Sequence, residues 1–231
     1  MSNDYFEFKK FTVRHDLCAM KVGTDGVLLG AWAKGGQNIL DAGTGSGLIA
    51  LCMAQRYRNA KVTAIDIDEG ACRQAEVNAV NSAFAERIEV HHTALQRLGN
   101  EKFDAIVCNP PFFKNSLECP DPRRAMARHA SALPAKELFV HSARLLADEG
   151  ELSVVIPASL RGEFDSEALF AGLFPSRVVM LKTVERKPVS RCLLAYRHHP
   201  VNKVEEVSAC LGDCMGGRSE WYAELTKDFY K

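Results

Sequence analysis

From Gln37 onward, short apolar runs alternate with helical stretches, and that alternation restricts the possible folds more than any other property of the chain. Asn38-Ile-Leu-Asp41 precedes a helical pattern from Leu48 to Arg56, and Lys61-Val-Thr-Ala-Ile-Asp66 precedes one from Glu69 to Asn81. The runs lack a strict apolar-to-polar alternation, as expected of strands covered on both faces. Strand, helix and strand repeated in this way build a parallel sheet. Further strands are expected at Arg87 to His91, at Phe103 to Cys108 and at Glu151 to Ile156. The last follows a helix from Pro134 to Leu146, which Gly150 would close in the left-handed conformation. Beyond Pro175, Arg177 to Thr183 and Cys192 to Tyr196 are joined by too few residues for a crossover helix and should pair antiparallel. The expected fold is α/β: a doubly wound, mostly parallel seven-stranded sheet with one antiparallel strand. No repeat or Pro/Ser linker divides the chain. Residues 1–231 therefore read as one domain, with an N-terminal segment 1–37, a core 38–199 and a tail 200–231 packed on it.

Composition excludes several classes. Lys plus Arg number 29 against 29 Asp plus Glu, so the chain is no broadly polycationic nucleic-acid binder, although local basic patches are open to it. The longest uncharged stretch, Ala42 to Gln55, is too short to span a membrane. Residues 1–10 carry Asp4, Glu7, Lys9 and Lys10 among aromatics, unlike a secretory leader, and a cytosolic location is expected. Cys18, Cys52, Cys72, Cys108, Cys119 and Cys192 are scattered as buried thiols would be in a reducing compartment. Cys210 and Cys214 lack the second pair that a zinc site needs, and His91-His92 and His198-His199 point apart on strands. No metal is expected.

Asp41-Ala-Gly-Thr-Gly-Ser-Gly47 ends the first strand and opens a helix. Gly43, Gly45 and Gly47 permit positive φ and a close approach of ligand to backbone, and the helix start behind them offers unpaired N–H groups. Asp66, at the end of the second strand, is placed to take both hydroxyls of a ribose, with Ile67 beside it. Gly45-Ser-Gly47-Leu-Ile-Ala50 also fits the dinucleotide pattern, so a nicotinamide-dependent oxidoreductase is a rival. Against it, Asp41 sits two residues before Gly43, where a carboxylate suits the amino group of a methionine moiety and repels a pyrophosphate.

The strand Phe103 to Cys108 runs into Asn109-Pro-Pro-Phe112. Pro110 and Pro111 stiffen this corner, which the topology places near the sheet's switch point. The Asn109 amide oxygen and the Pro110 carbonyl could then accept both hydrogens of a planar amino group, with Phe112 stacked on the ring that bears it. No titrating base is needed.

Together these motifs resemble those of class I S-adenosylmethionine-dependent methyltransferases that act on amino nitrogens. Phe6-Glu-Phe-Lys-Lys-Phe11, His15 to Trp32, Ala127-Arg-His129 with Leu133, and Leu225 to Tyr230 are similar to the bacterial tRNA1(Val) adenine-N6 methyltransferases, which modify adenine 37, most specifically in Met20 to Trp32 and Lys227-Asp-Phe-Tyr230. The resemblance covers essentially the whole chain. It implies S-adenosyl-L-methionine as cofactor, held by Gly43, Gly45, Gly47 and Asp66 with Asp41, Ile67 and Asn109 at the site. It also implies an N-terminal lid of Lys21, Thr24 and Asp25, and Asn109, Pro110, Pro111 and Phe112 around a flipped adenine. Thr93 falls where such enzymes often place an acid against the cofactor adenine, and Phe112 where Tyr is frequent.

A neutral protein must hold tRNA through clusters, and two stand out. One is Arg123, Arg124, Arg128 and His129; the other is Lys182, Arg186, Lys187 and Arg191, to either of which Lys9, Lys10 and Arg14 could add. Trp221, Tyr222, Phe229 and Tyr230 read as packing residues of a docked tail helix. A monomer acting on tRNA is expected. Guanine N2 in ribosomal RNA and a protein glutamine are rival acceptors, because both are planar amino groups and share the Asn-Pro-Pro-aromatic corner.

Overall fold

The structure, a computed structural model, describes residues 4–17, 22–111 and 133–231. A two-stranded antiparallel ribbon, β1 (Tyr5–Glu7) with β2 (Thr12–Arg14), precedes helix α1 (Thr24–Trp32). There follow β3 (Asn38–Ala42), α2 (Leu48–Arg56), β4 (Lys61–Asp66), α3 (Glu69–Val80), β5 (Ile88–His92) and β6 (Phe103–Cys108). The second half holds α4 (Ala135–Leu145), β7 (Leu146–Pro157), α5 (Arg161–Phe170), β8 (Phe174–Lys182), β9 (Val189–Arg197), β10 (Glu205–Cys210) and α6 (Glu220–Thr226).

Strands β3 to β10 form one sheet in the order β10-β8-β9-β7-β6-β3-β4-β5. Only β9 runs against its neighbours, pairing antiparallel with both β7 and β8, while the remaining pairs are parallel. The doubly wound α/β class expected from the sequence is therefore observed. Its strand count is not: the sheet has eight strands. The additional one, β10, pairs in parallel with β8 at the sheet edge and leaves most of its side chains in water, so it carries no apolar run. Gly150 is a second correction. It does not close α4 in a left-handed turn, because β7 begins at Leu146 and Gly150 lies within that strand.

Apolar side chains leave the central strands in both directions. Ile39, Val62, Ala64, Val107 and Val155 join a core with α1, α2, α3 and α6. Leu40, Ile65, Ile106, Val154 and Leu194 join one with α4 and α5. This explains the runs without alternation. Among the described cysteines, Cys52, Cys72, Cys108 and Cys192 are buried free thiols.

Two contacts tie the flanking segments down. Helix α1 lies so close to α2 that a β-carbon on Gly30 would stand 2.5 Å from Cβ of Cys52. From the far end of α2, Arg56 Nη1 donates to the carbonyls of Gly30 (2.9 Å) and Ala33 (2.6 Å), closing the α1 C-terminus. The N-terminal ribbon rests on the chain end: Lys9 N–H donates to the Phe229 carbonyl (2.8 Å), and the Phe8 ring stacks on Tyr230 at 5.8 Å. Tyr222 and Phe229 are buried in the core that also holds α1 and α2.

Since the Gly30 contact is made by buried backbone and a short side chain, Gly30→Ala should force α1 away from α2. We expect a loss of about 1–3 kcal/mol in urea unfolding, with no change in the denaturant slope.

Candidate active site

The carboxyl ends of β3, β4 and β6 finish at one level. Ala42 pairs with Ile65 on one side and with Cys108 on the other, so Gly43, Asp66 and Asn109 leave three adjacent strands together. The register thus brings the glycine loop, the acid and the proline corner to one edge of the sheet.

The loop is held from below. Gly43 and Thr44 N–H both donate to the Ile65 carbonyl (2.9 Å each), and φ is +74° at Gly43, +56° at Gly45 and +78° at Gly47. These values favour glycine at each position. A β-carbon on Gly43 or Gly45 would meet nothing within 4 Å, so the loop faces open space; at Gly47 it would crowd Ala75 of α3 at 3.2 Å. The first two glycines give room to a ligand, and the third lets two helices approach.

Asp41 has no exposed surface. Its Oδ2 accepts from Thr44 Oγ1 (2.7 Å) and from Ala50 N–H (3.0 Å), capping α2 where Gly47 offers no side chain. Oδ1 is buried with no hydrogen-bond partner. Burial pushes this carboxyl up to about 7, against the opposing pull of the Thr44 and Ala50 bonds. The sequence offered Asp41 to a cationic ligand group; in the structure its first role is to bolt the turn, and one oxygen is left over.

Asp66 is half-buried. Oδ2 accepts from Gly45 N–H (2.9 Å) and Oδ1 from Asp68 N–H (3.0 Å), which fixes the carboxylate while leaving each oxygen further acceptor capacity. Ile67, beside it, is 46% exposed and presents an apolar surface at the rim. Thr93 is placed next to them, its N–H donating to the Asp66 carbonyl (2.9 Å). At the corner, Pro110 is buried and Asn109 and Pro111 are half-buried. The Asn109 carboxamide makes no hydrogen bond to another described residue.

Basic residues of the β8–β9 hairpin reach the same edge. Arg191 pairs in register with Pro157 at the end of β7, and Lys182 pairs with Val189. Arg186 and Lys187 are exposed in the turn between. Lys182 Nζ binds Glu185 Oε1 (2.6 Å), and Arg191 Nε binds Asp25 Oδ2 (2.9 Å). Asp25 and Thr24 occupy the first turn of α1. Lys21, Phe112, Arg123, Arg124, Arg128 and His129 lie outside the described residues.

Some positioning residues have no counterpart in the sequence reading. Asn78 of α3 is almost fully buried; its Oδ1 accepts from Arg14 N–H (2.9 Å), and its Nδ2 donates to the carbonyls of Arg14 and Ser46 (2.8 Å each). One turn earlier, Gln74 Oε1 accepts from Leu17 N–H (2.7 Å). Two amides spaced i, i+4 on a helix face otherwise lined by Ala71, Ala75 and Ala79 were the available signal. His92 Nε2 lies 2.9 Å from the Ile67 carbonyl and holds that rim. A cleft of about 860 Å³ runs along the uncovered face of β4 and β5, lined by Thr63, Glu89, His91 and Arg97 among others; of the candidate site residues only Thr93 borders it.

Sheet order and loop geometry together define a class I methyltransferase. The methyltransferase small domain family matches residues 22–174. A crystal structure of a predicted O-methyltransferase from Agrobacterium tumefaciens superposes with a TM-score of 0.69 at 16% identity, covering 89% of this chain and 96% of that one, and so shares the fold. A protein of Parabacteroides distasonis named tRNA1(Val) (adenine(37)-N6)-methyltransferase is 46% identical over 100% of this chain and 99% of its own length. One of the same name from Aeromonas hydrophila is 39% identical over 99% and 98%. The chain belongs to the family of the tRNA1(Val) (adenine(37)-N6)-methyltransferases.

The Asp41 carboxyl has a measurable signature. In the unfolded chain it ionises near pH 4, in the fold near 7, so the folded state keeps the proton longer. Its contribution to stability is complete below about pH 4, declines by up to about 4 kcal/mol as pH rises to about 7, and is flat above. Unfolding free energies of the wild type minus those of Asp41→Asn, taken by urea titration across this range, should fall with that course.

Proposed function

We infer that this protein transfers a methyl group from S-adenosyl-L-methionine to N6 of adenine 37 in tRNA1(Val). The observation that carries the reading is the common level of Gly43, Asp66 and Asn109 on three adjacent strand ends. The nucleic-acid substrate is supported by the names of full-length relatives.

The residues present fit the cofactor. The space over Gly43 and Gly45 is what a β-carbon would fill, the buried Oδ1 of Asp41 lacks a donor, and Asp66 has acceptor capacity for ribose hydroxyls. Ile67 and Thr93 border the place of the adenine ring, and Lys21, Thr24 and Asp25 belong to the segment that covers it. When bound, S-adenosylmethionine supplies an electrophilic methyl on a sulfonium.

The chain itself supplies alignment. The Asn109 amide oxygen and the Pro110 carbonyl accept the two N6 hydrogens, which takes the nitrogen lone pair out of conjugation and aims it at the methyl. Pro110 and Pro111 keep the two acceptors at a fixed spacing. Phe112 is the stacking partner of the extruded base. As positive charge grows on N6 the same two oxygens stabilise it, and the excess proton leaves to solvent. Lys182, Arg186, Lys187 and Arg191 bind backbone phosphates beside the corner, with Arg123, Arg124, Arg128 and His129 a second basic element in the chain. Residues 1–231 act as one domain, and the protein works as a monomer in the cytosol; among the described residues no helix is long and apolar enough to cross a membrane.

Incubation of unmodified tRNA1(Val) transcript with labelled cofactor should place one methyl on adenine 37. Asn109→Ala should lower that rate by about 10²–10³-fold and leave stabilisation by S-adenosylhomocysteine intact. A methyl on a guanine, or undiminished turnover in the variant, would overturn the assignment.

A further inference from the structure

The ion pair between Asp25 and Arg191 joins two elements that the proposed function assigns to different ligands. Asp25 lies in the first turn of α1, whose next residue, Gly26, packs against Leu48 at the start of the helix that follows the glycine loop. Arg191 lies towards the turn end of the β8–β9 hairpin, which it shares with Lys182, Arg186 and Lys187. Within that group Lys182 and Arg191 are each bound to a carboxylate, whereas Arg186 and Lys187 are exposed and have no side-chain partner among the described residues. The turn end of the hairpin thus carries two open cations and two that are masked.

We propose that Asp25 holds the place of an RNA phosphate on Arg191, and that tRNA binding exchanges the carboxylate for a phosphate. The exchange rests on the tRNA reading above. Geometry permits it. The pair is partly exposed, with side chains 38% and 29% accessible. Arg191 uses Nε for Asp25 and Nη1 for the Ser190 carbonyl, which leaves Nη2 directed to neither. A guanidinium engaged along one edge by a carboxylate accepts a phosphate in the same fork geometry. Magnitudes agree: an ion pair at such exposure favours its bound state by no more than about five-fold, while a phosphate contact gains in addition from release of the RNA's counterions. Asp25 therefore sets a threshold. An RNA that cannot reach Arg191 while touching Arg186 and Lys187 gains nothing from it.

The consequence runs against the usual expectation for a residue of a cofactor lid. Removing the Asp25 charge should improve RNA binding. With the full chain and unmodified tRNA1(Val) transcript, fluorescence anisotropy should show Asp25→Asn binding about two- to five-fold more tightly than wild type. Arg191→Gln should bind more weakly, and Asp25→Asn combined with Arg191→Gln should be no tighter than Arg191→Gln alone. Thermal melting of each variant checks folding, with Asp25→Ala as a second removal of the charge. No gain in either Asp25 variant, while wild type binds the transcript, overturns the exchange. So does a gain that persists in the Arg191→Gln background, which would be a general charge effect. If no variant and no wild type binds the tRNA although S-adenosylhomocysteine still raises the melting temperature, the tRNA reading itself falls and the exchange with it.

Discussion

Taking the Asp41 carboxylate out of water is unfavourable, and the fold offsets part of that cost with donors from both limbs of one turn: the Thr44 hydroxyl and the Ala50 N–H. That bracket determines where the glycine loop can go. The loop is anchored to β4 through two N–H groups on one carbonyl and to Asp66 through Gly45. Helix α2 starts from it, α1 packs on α2 with no room for a side chain at Gly30, and Asp25 at the head of α1 meets Arg191 on the far hairpin. Relaxing the bracket would move the glycine loop, α1 and the Asp25–Arg191 contact together.

The order of these parts explains how much the sequence could disclose. Strands buried on both faces announce themselves as apolar runs, and the glycine loop announces itself because three positive φ angles at alternate positions favour one residue type. β10 does not, since Glu205-Glu-Val-Ser-Ala-Cys210 keeps most of its side chains in water at a sheet edge. Gly150 misleads for a related reason. A glycine after Asp148 and Glu149 looks like a helix stop, but the pairing of Leu146 with Phe103 already has the chain extended by then.

Site residues divide the same way. Asp66 and Asn109 are legible because each directly ends an apolar run that reads as a strand. Asn78 and Gln74 are not, because buried amides on a helix are indistinguishable in sequence from solvated ones until the segment they bind is known. Asp25 and Arg191 lie 166 residues apart, and nothing local indicates that they meet.

The ribbon of β1 and β2 has no core of its own and rests on residues from the other end of the chain. Lys9 and Phe8 find their partners in Phe229 and Tyr230, and Gln55 of α2 donates to the Asp228 carbonyl (2.9 Å). Contacts between residues so distant in sequence form late, because the loop they close is nearly the whole chain. The sheet can assemble strand by strand while the β1–β2 ribbon waits for its partners Phe229 and Tyr230. The glycine loop and the Asn109 corner can thus be in place while the N-terminal ribbon is still undocked.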